Sequence, residues 1–205
     1  MDAPKSLASP AVRQARFGML QQPHVLALTG YVESLRLEMG SEYGIPYFDP
    51  LDGGTDAECL FLLEAPGPKA IATGFVSRNN PDETAKNFFQ LNRDAGLERK
   101  RTVVWNIVPW YIGSGTKIRP ATTRDLGQAA PALADLLTLL PAVHTIVLVG
   151  KKAMLARVAV TRLAPSAEIH SMLHPSPMFV NRARGNRKLL LDQLAVVVAG
   201  IHAKS

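Results

Sequence analysis

Four short apolar runs in this chain each end in a polar stretch, and those stretches hold the side chains best suited to chemistry. Glu64 opens "EAPG", Asn106 lies within "WNIVPW", Lys151 and Lys152 follow in "VGKKA", and His174 opens "HPSP". A carboxylate can orient a water molecule and oppose a growing positive charge. An amide reads a neighbouring donor and acceptor together, and an imidazole passes or donates a proton near neutral pH. Lysines in the first turn of a helix oppose its dipole, an arrangement that suits a nearby phosphate. A tight Pro66-Gly67-Pro68 turn lets another molecule approach the backbone where a side chain would obstruct it. Taken singly, each group also has a plain structural reading. "HPSP" can be a turn with a capping histidine, Asn106 a residue satisfying loop backbone groups, Glu64 a solvated strand end and the lysines ordinary helix starters.

Such groups act together only if the fold gathers them. The runs "ECLFLL" (58–63), "TVVWNIV" (102–108), "VHTIVLVG" (143–150) and "AEIHSML" (167–173) have the length and β-branched content of buried strands. Helix patterns lie between them. "NNPDETAKNFFQLNRDAGL" offers Asn79 or Asn80 as N-cap with Pro81 at the first helical position, "TTRDLGQAAPALADLLTLL" carries Pro131 as a kink, and "KKAMLARVAVTRL" and "NRKLLLDQLAVVVAGIH" complete the set. An earlier helix begins near Gln21 and ends near Gly40. Strands alternating with helices predict an α/β fold, a three-layer α/β/α sandwich around a central four-stranded parallel sheet. Ligands bind such sheets at the carboxyl ends of the strands, where all four polar stretches fall. The loop "GIPYFDPLDGG" leaves open whether Tyr47, Phe48 and Asp49 line a pocket or brace one.

The 205 residues, 47% hydrophobic and 20% charged, suit one globular domain, expected over residues 21–205 behind a flexible arm of residues 1–20. No run nears the roughly 18 apolar residues that span a bilayer, and the start lacks a signal-peptide core, so no membrane and a cytoplasmic location are expected. The single cysteine, Cys59, excludes an internal disulfide and a multi-cysteine metal site. The net charge of +6 favours an anionic partner. Between Glu168 and Asp192 there is no acid, while Arg182, Arg184, Arg187 and Lys188 cluster there. Arg99-Lys100-Arg101 and the group Lys117, Arg119 and Arg124 add to the basic surface, which a merely solvated face would also explain.

In this order on this fold, "EAPG", "WNIVPW", "VGKKA" and "HPSP" resemble the uracil-DNA glycosylase superfamily over residues 58–195. "EAPG" and "IRPATTRDLGQAAPALADLL" are most similar to its iron–sulfur branch, whose first motif reads Gly-Glu-Ala-Pro-Gly. Leu63 replaces that glycine and the four cluster cysteines are absent, so the chain reads as a cluster-free relative with no cofactor and no metal. The resemblance implies a monofunctional enzyme of base-excision repair; a protein that reads one lesion needs no partner subunit, so a monomer is expected. It would flip uracil out of DNA and hydrolyse the N-glycosidic bond to leave an abasic site. His174 then donates to uracil O2, and Glu64 orients water and opposes the oxocarbenium charge. Ala65 stands where the best-known branch has its acid, so Asn80, or Asn79 or Asp82, shares the work on water. Asn106 pairs with uracil O4 and N3–H. Phe75 stacks on the base, with Phe88 or Phe89 as the alternatives, and Ala65 and Gly67 line it. Ser176, Arg182, Arg184 and Lys151 contact DNA, and Met178 or Phe179 is the wedge. Other readings are a protein that captures damaged or abasic DNA without turnover, a glycosylase for hypoxanthine or xanthine, and a small-molecule enzyme using Glu64 and His174.

Overall fold

Runs such as "CLFLL" and "TIVLV" have no polar face to show to water, so each must lie in a sheet covered on both sides. A computed structural model, which describes residues 1–40, 42–115 and 117–203, has this arrangement. The strands in chain order are β1 (Tyr47–Phe48), β2 (Cys59–Leu63), β3 (Phe75–Val76), β4 (Thr102–Asn106), β5 (Gly113–Ser114), β6 (Lys117–Ile118), β7 (Thr145–Val149) and β8 (Glu168–Met172). The helices are α1 (Pro10–Phe17), α2 (Pro23–Met39), α3 (Pro68–Thr73), α4 (Glu83–Asp94), α5 (Thr123–Thr138), α6 (Lys151–Met154), α7 (Arg157–Leu163), α8 (Pro177–Val180) and α9 (Arg184–His202). Four strands form a wholly parallel central sheet in the order β4-β2-β7-β8. Helices α4, α8 and α9 contact one another, α5 contacts both α2 and α7, and the sheet is flanked by helices. This is the expected α/β architecture. No helix among the described residues is long and apolar enough to cross a membrane.

Register fixes what the strand ends present. Leu63 pairs with Asn106 and Val149 with Met172, so the residues that follow β2, β7 and β8 leave the sheet on the same edge as Asn106. The core beneath is densely aromatic. Trp105 stacks on Phe48 with centroids 3.7 Å apart, a contact of the kind whose truncation costs about 3–5 kcal/mol. Phe48 therefore braces the sheet, and Asp49 is buried among arginines.

Several local expectations shift. Helix α4 begins at Glu83, not around Pro81, because Asp82 is its N-cap and accepts the Ala85 N–H at 2.8 Å. The side chains of Asn79 and Asn80 are engaged elsewhere. Helix α5 starts from a Thr122–Asp125 capping box and accommodates Pro131 internally. "KKAMLARVAVTRL" divides into α6 and α7, and α9 begins at Arg184, two residues before the expected start.

The greatest difference lies at the N-terminus. Residues 1–20, expected to be loose, contain a 3-10 turn (Ser6–Ala8) and α1, and they are anchored. Leu7 is fully buried and its N–H donates to the Asn79 carbonyl at 3.1 Å. Arg16, 2% exposed, forms an ion pair with the buried Asp49. The segment is short and its anchors, apolar and polar alike, lie far away in the sequence, which is why its order escapes a local pattern of residues.

Candidate active site

A cavity of about 440 Å³ opens at the carboxyl edge of the sheet. Glu64, Ala65, Gly67, Asn80, Asn106 and His174 all line it, joined by Arg78, Asp82 and Phe88. Size alone does not mark the site. Grooves of about 780 and 750 Å³ lie elsewhere on the surface and contain none of these residues.

His174 is fixed from three directions. Gly150, with φ of 88°, turns the chain at the end of β7, and a Cβ there would lie 3.1 Å from the Cβ of His174. Only a residue without a side chain allows both that backbone and that approach. Asn87 of α4 donates to the Pro175 carbonyl at 3.1 Å, and Gln193 of α9 accepts the Leu173 N–H at 3.1 Å. Neither contact leaves a motif in the sequence. Burial lowers the pKa of His174 below its ordinary value, while the carboxylates of Glu64 and Asp82 oppose the shift. The ring is therefore neutral at pH 7 and presents one N–H for donation.

Asn106 ends β4, is 3% exposed, and its Nδ2 donor is buried without a partner among the described residues. An unpaired buried amide N–H costs about 1–3 kcal/mol, so a fold that keeps one has reserved it. Glu64 follows β2, and its Oε1 accepts the Ala121 N–H at 2.6 Å. Lys152 donates to the carbonyl of the same residue at 3.3 Å, so the loop before α5 steadies the carboxylate. Gly67 is the N-cap of α3 with ordinary dihedrals, and a Cβ added to it would meet nothing within 4 Å. Neither backbone strain nor a protein neighbour requires glycine there; an incoming ligand would.

Two candidate residues stand differently from expectation. Phe75 is fully buried and packs against Phe17 (centroids 4.6 Å) in a cluster with Leu7 and Leu20, and it does not line the cavity. The ordered N-terminal segment covers it. The phenyl ring in the cavity wall is Phe88, which also meets Phe61 edge-on at 5.1 Å and so serves core and cavity together. Asn80 lines the cavity, but its Oδ1 accepts from Thr73 Oγ1 at 2.6 Å and its Nδ2 donates to the Phe75 carbonyl at 2.9 Å. Its amide braces the wall. The adjacent Asp82 brings a carboxyl to the same cavity, with its pKa raised by burial. Asn79 points into the N-terminal contacts, donating to Asp2 and to the Ala3 carbonyl.

Outside the cavity, the basic groups sort by their partners. Arg99 is held by Asp2, Asp49 and Asp52, Arg101 by Glu58, and Arg119 by Asp125. Arg187 pairs with Asp94 and Lys188 with Asp192. Arg182 and Arg184 are exposed and have no ion-pair partner among the described residues. Lys151 is exposed at the start of α6. Ser176 caps α8 by accepting the Phe179 N–H, Phe179 packs against the core, and Met178 is 85% exposed.

The family model that matches this chain is that of the uracil DNA glycosylase superfamily, over residues 50–196. No curated protein matches it.

Proposed function

Because the chain belongs to the uracil DNA glycosylase superfamily, we propose that it is a monofunctional uracil-DNA glycosylase, which hydrolyses the bond between uracil and deoxyribose and leaves an abasic site. The observation that carries this reading is Asn106. A buried amide whose donor has no protein partner, in the wall of a cavity at the strand ends, suits a base edge that offers a carbonyl beside an N–H. Uracil has that edge in O4 and N3–H, whereas cytosine presents an amine where the acceptor is needed.

The remaining residues follow from the charges that develop. As the C1′–N1 bond lengthens, the electron pair moves onto the base and the sugar becomes cationic. The neutral His174 donates to O2 of the departing base, a contribution of about 3 kcal/mol for a well-placed donor to a developing oxyanion. Glu64 orients the attacking water and opposes the charge on the sugar, and Asp82 takes the part first assigned to Asn80. Phe88 offers the base its ring in place of Phe75. Gly67 gives the extruded nucleotide room against the backbone. Arg182, Arg184 and Lys151 grip phosphates, Ser176 adds a hydroxyl contact, and Met178 is the residue exposed enough to enter the vacated stack.

End-labelled oligonucleotides carrying one uracil, one hypoxanthine or only normal bases test the reading after alkali treatment. Cleavage confined to the uracil strand is expected. Lesion-specific binding without cleavage would make this a protein that captures damage, as Ala65 in the place of an acid would allow. Cleavage at hypoxanthine would make it a glycosylase for another deaminated base.

A further inference from the structure

The cavity wall contains a charge that the mechanism above leaves unused. Arg78 is 3% exposed and lines the cavity with Asn106, Phe88 and His174. Its Nη2 donates to Thr102 Oγ1 and pairs with Asp52 Oδ1 at 3.4 Å, while its Nε–H is buried with no acceptor among the described residues. The Phe88 ring centroid lies 5.7 Å from its guanidinium carbon.

Arg78 belongs to a network of three arginines that share two fully buried carboxylates. Arg16, Arg78 and Arg99 share Asp49 and Asp52 as their buried acids, and Asp2, the third acid, is half exposed. Arg99 reaches both buried carboxylates, at 2.6 and 2.7 Å, so Arg78 receives the longer and shared half of Asp52. Of these charged groups, Arg78 is the one in the cavity wall. The positive charge of Arg78, which shares Asp52 with Arg99, therefore lies in the wall of the cavity from which the base departs, in surroundings that screen it weakly.

We propose that Arg78 is a leaving-group residue, whose charge stabilises the base anion formed when the glycosidic bond breaks. The C1′–N1 bond breaks heterolytically and its electron pair leaves with the base. A water oxygen bonds to C1′, and the water proton passes by way of Glu64 to solvent or to the departed base. This inference rests on the glycosylase reading and adds a residue to it. A guanidinium stays protonated even when buried, so its contribution persists across the working pH range.

The test is the sensitivity of the chemical step to the acidity of the leaving base. Single-turnover excision would be measured from strands carrying 2′-deoxyuridine or 5-fluoro-2′-deoxyuridine, whose ring bears negative charge more readily. The proteins are the wild type, Arg78→Lys, and Arg78→Gln combined with Asp52→Asn, which removes both charges of the pair and leaves Arg99 held by Asp49 and Asp2. In the double variant uracil excision should fall by about 10²-fold, and 5-fluorouracil excision by about tenfold, so that the ratio of the two rates widens. Arg78→Lys keeps the charge and should keep the ratio near that of the wild type, which tests the inference even if the double variant folds poorly. Equal slowing of both substrates in the double variant, or a widened ratio in Arg78→Lys, would overturn the assignment and leave Arg78 a structural residue. Excision of neither base by the wild type would instead remove the glycosylase reading, and this inference with it.

Discussion

Replacing Asn106 with leucine should make the protein more stable and far less active. Asn106 is 3% exposed and its Nδ2 has no partner, so the unliganded protein bears the desolvation cost of that donor, about 1–3 kcal/mol. Leucine has the same branching and number of heavy atoms, and the adjoining cavity admits its greater bulk, so it removes the cost without opening a hole, less a fraction for imperfect shape. A net gain of about 1 kcal/mol is expected, which in a chain of this size raises Tm by about 2–4 °C. The same change deletes the group proposed to read the base, and excision should fall by at least 10²-fold, because a site built to hydrogen-bond its substrate discriminates strongly against a missing partner. Thermal melts and single-turnover excision on the same preparation give both numbers. A structural asparagine would show the opposite pattern. A Tm lowered by several degrees with excision retained would refute the assignment of Asn106 to the base.

Four further outcomes follow. His174 should titrate below about 6.5 by NMR; since its folded pKa is depressed, its contribution to stability is complete above the unfolded value and is lost as pH falls toward the folded one, so as pH falls below about 6.5 the wild type should lose more stability than His174→Asn. Gly150→Ala places a Cβ 3.1 Å from that of His174 at a φ of 88°, and should slow excision by about 10²-fold through misplacement of the ring; an unchanged rate would show that Gly150 does not position it. Replacing Arg182 and Arg184 together with alanine should reduce the slope of log affinity against log salt by about 1.5, and an unaltered slope would remove them from the phosphate contacts. Arg16→Ala leaves Asp49 buried with one fewer partner and should cost about 3–5 kcal/mol in urea unfolding, whereas a loss under 1 kcal/mol would show that the N-terminal segment is not anchored as described.

What the sequence revealed depended on the kind of interaction. The parallel sheet was legible because the four apolar runs between helix patterns admit few other arrangements, and Glu64, Asn106 and His174 were legible because a parallel sheet must present its strand ends together. Phe75 and Phe88 were exchanged for a physical reason. Helical spacing marks Phe88 as core, which it is, but the pattern does not say that one edge of the core is also a cavity wall. Asn80 looked available because side-chain hydrogen bonds to Thr73 and to the Phe75 carbonyl have no sequence signature. The same holds for the N-terminal segment, whose order comes from a few apolar residues packed on the distant Phe75 and from the polar contacts of Arg16, Asp49 and Asn79. Basic residues were the least legible. Arg99 and Arg101 belong to ion pairs, and only the fold separates them from Arg182 and Arg184.

The most direct test of the central claim is to follow both products from a strand carrying one uracil, incubated with the wild-type protein in ¹⁸O-labelled water and analysed by mass spectrometry. Hydrolysis by a water held at Glu64 predicts one free uracil per strand and an intact abasic strand that acquires a single ¹⁸O atom, with both products much reduced in Glu64→Gln and His174→Ala. A strand that keeps its uracil under saturating protein, or one cut without incorporating ¹⁸O, would contradict it.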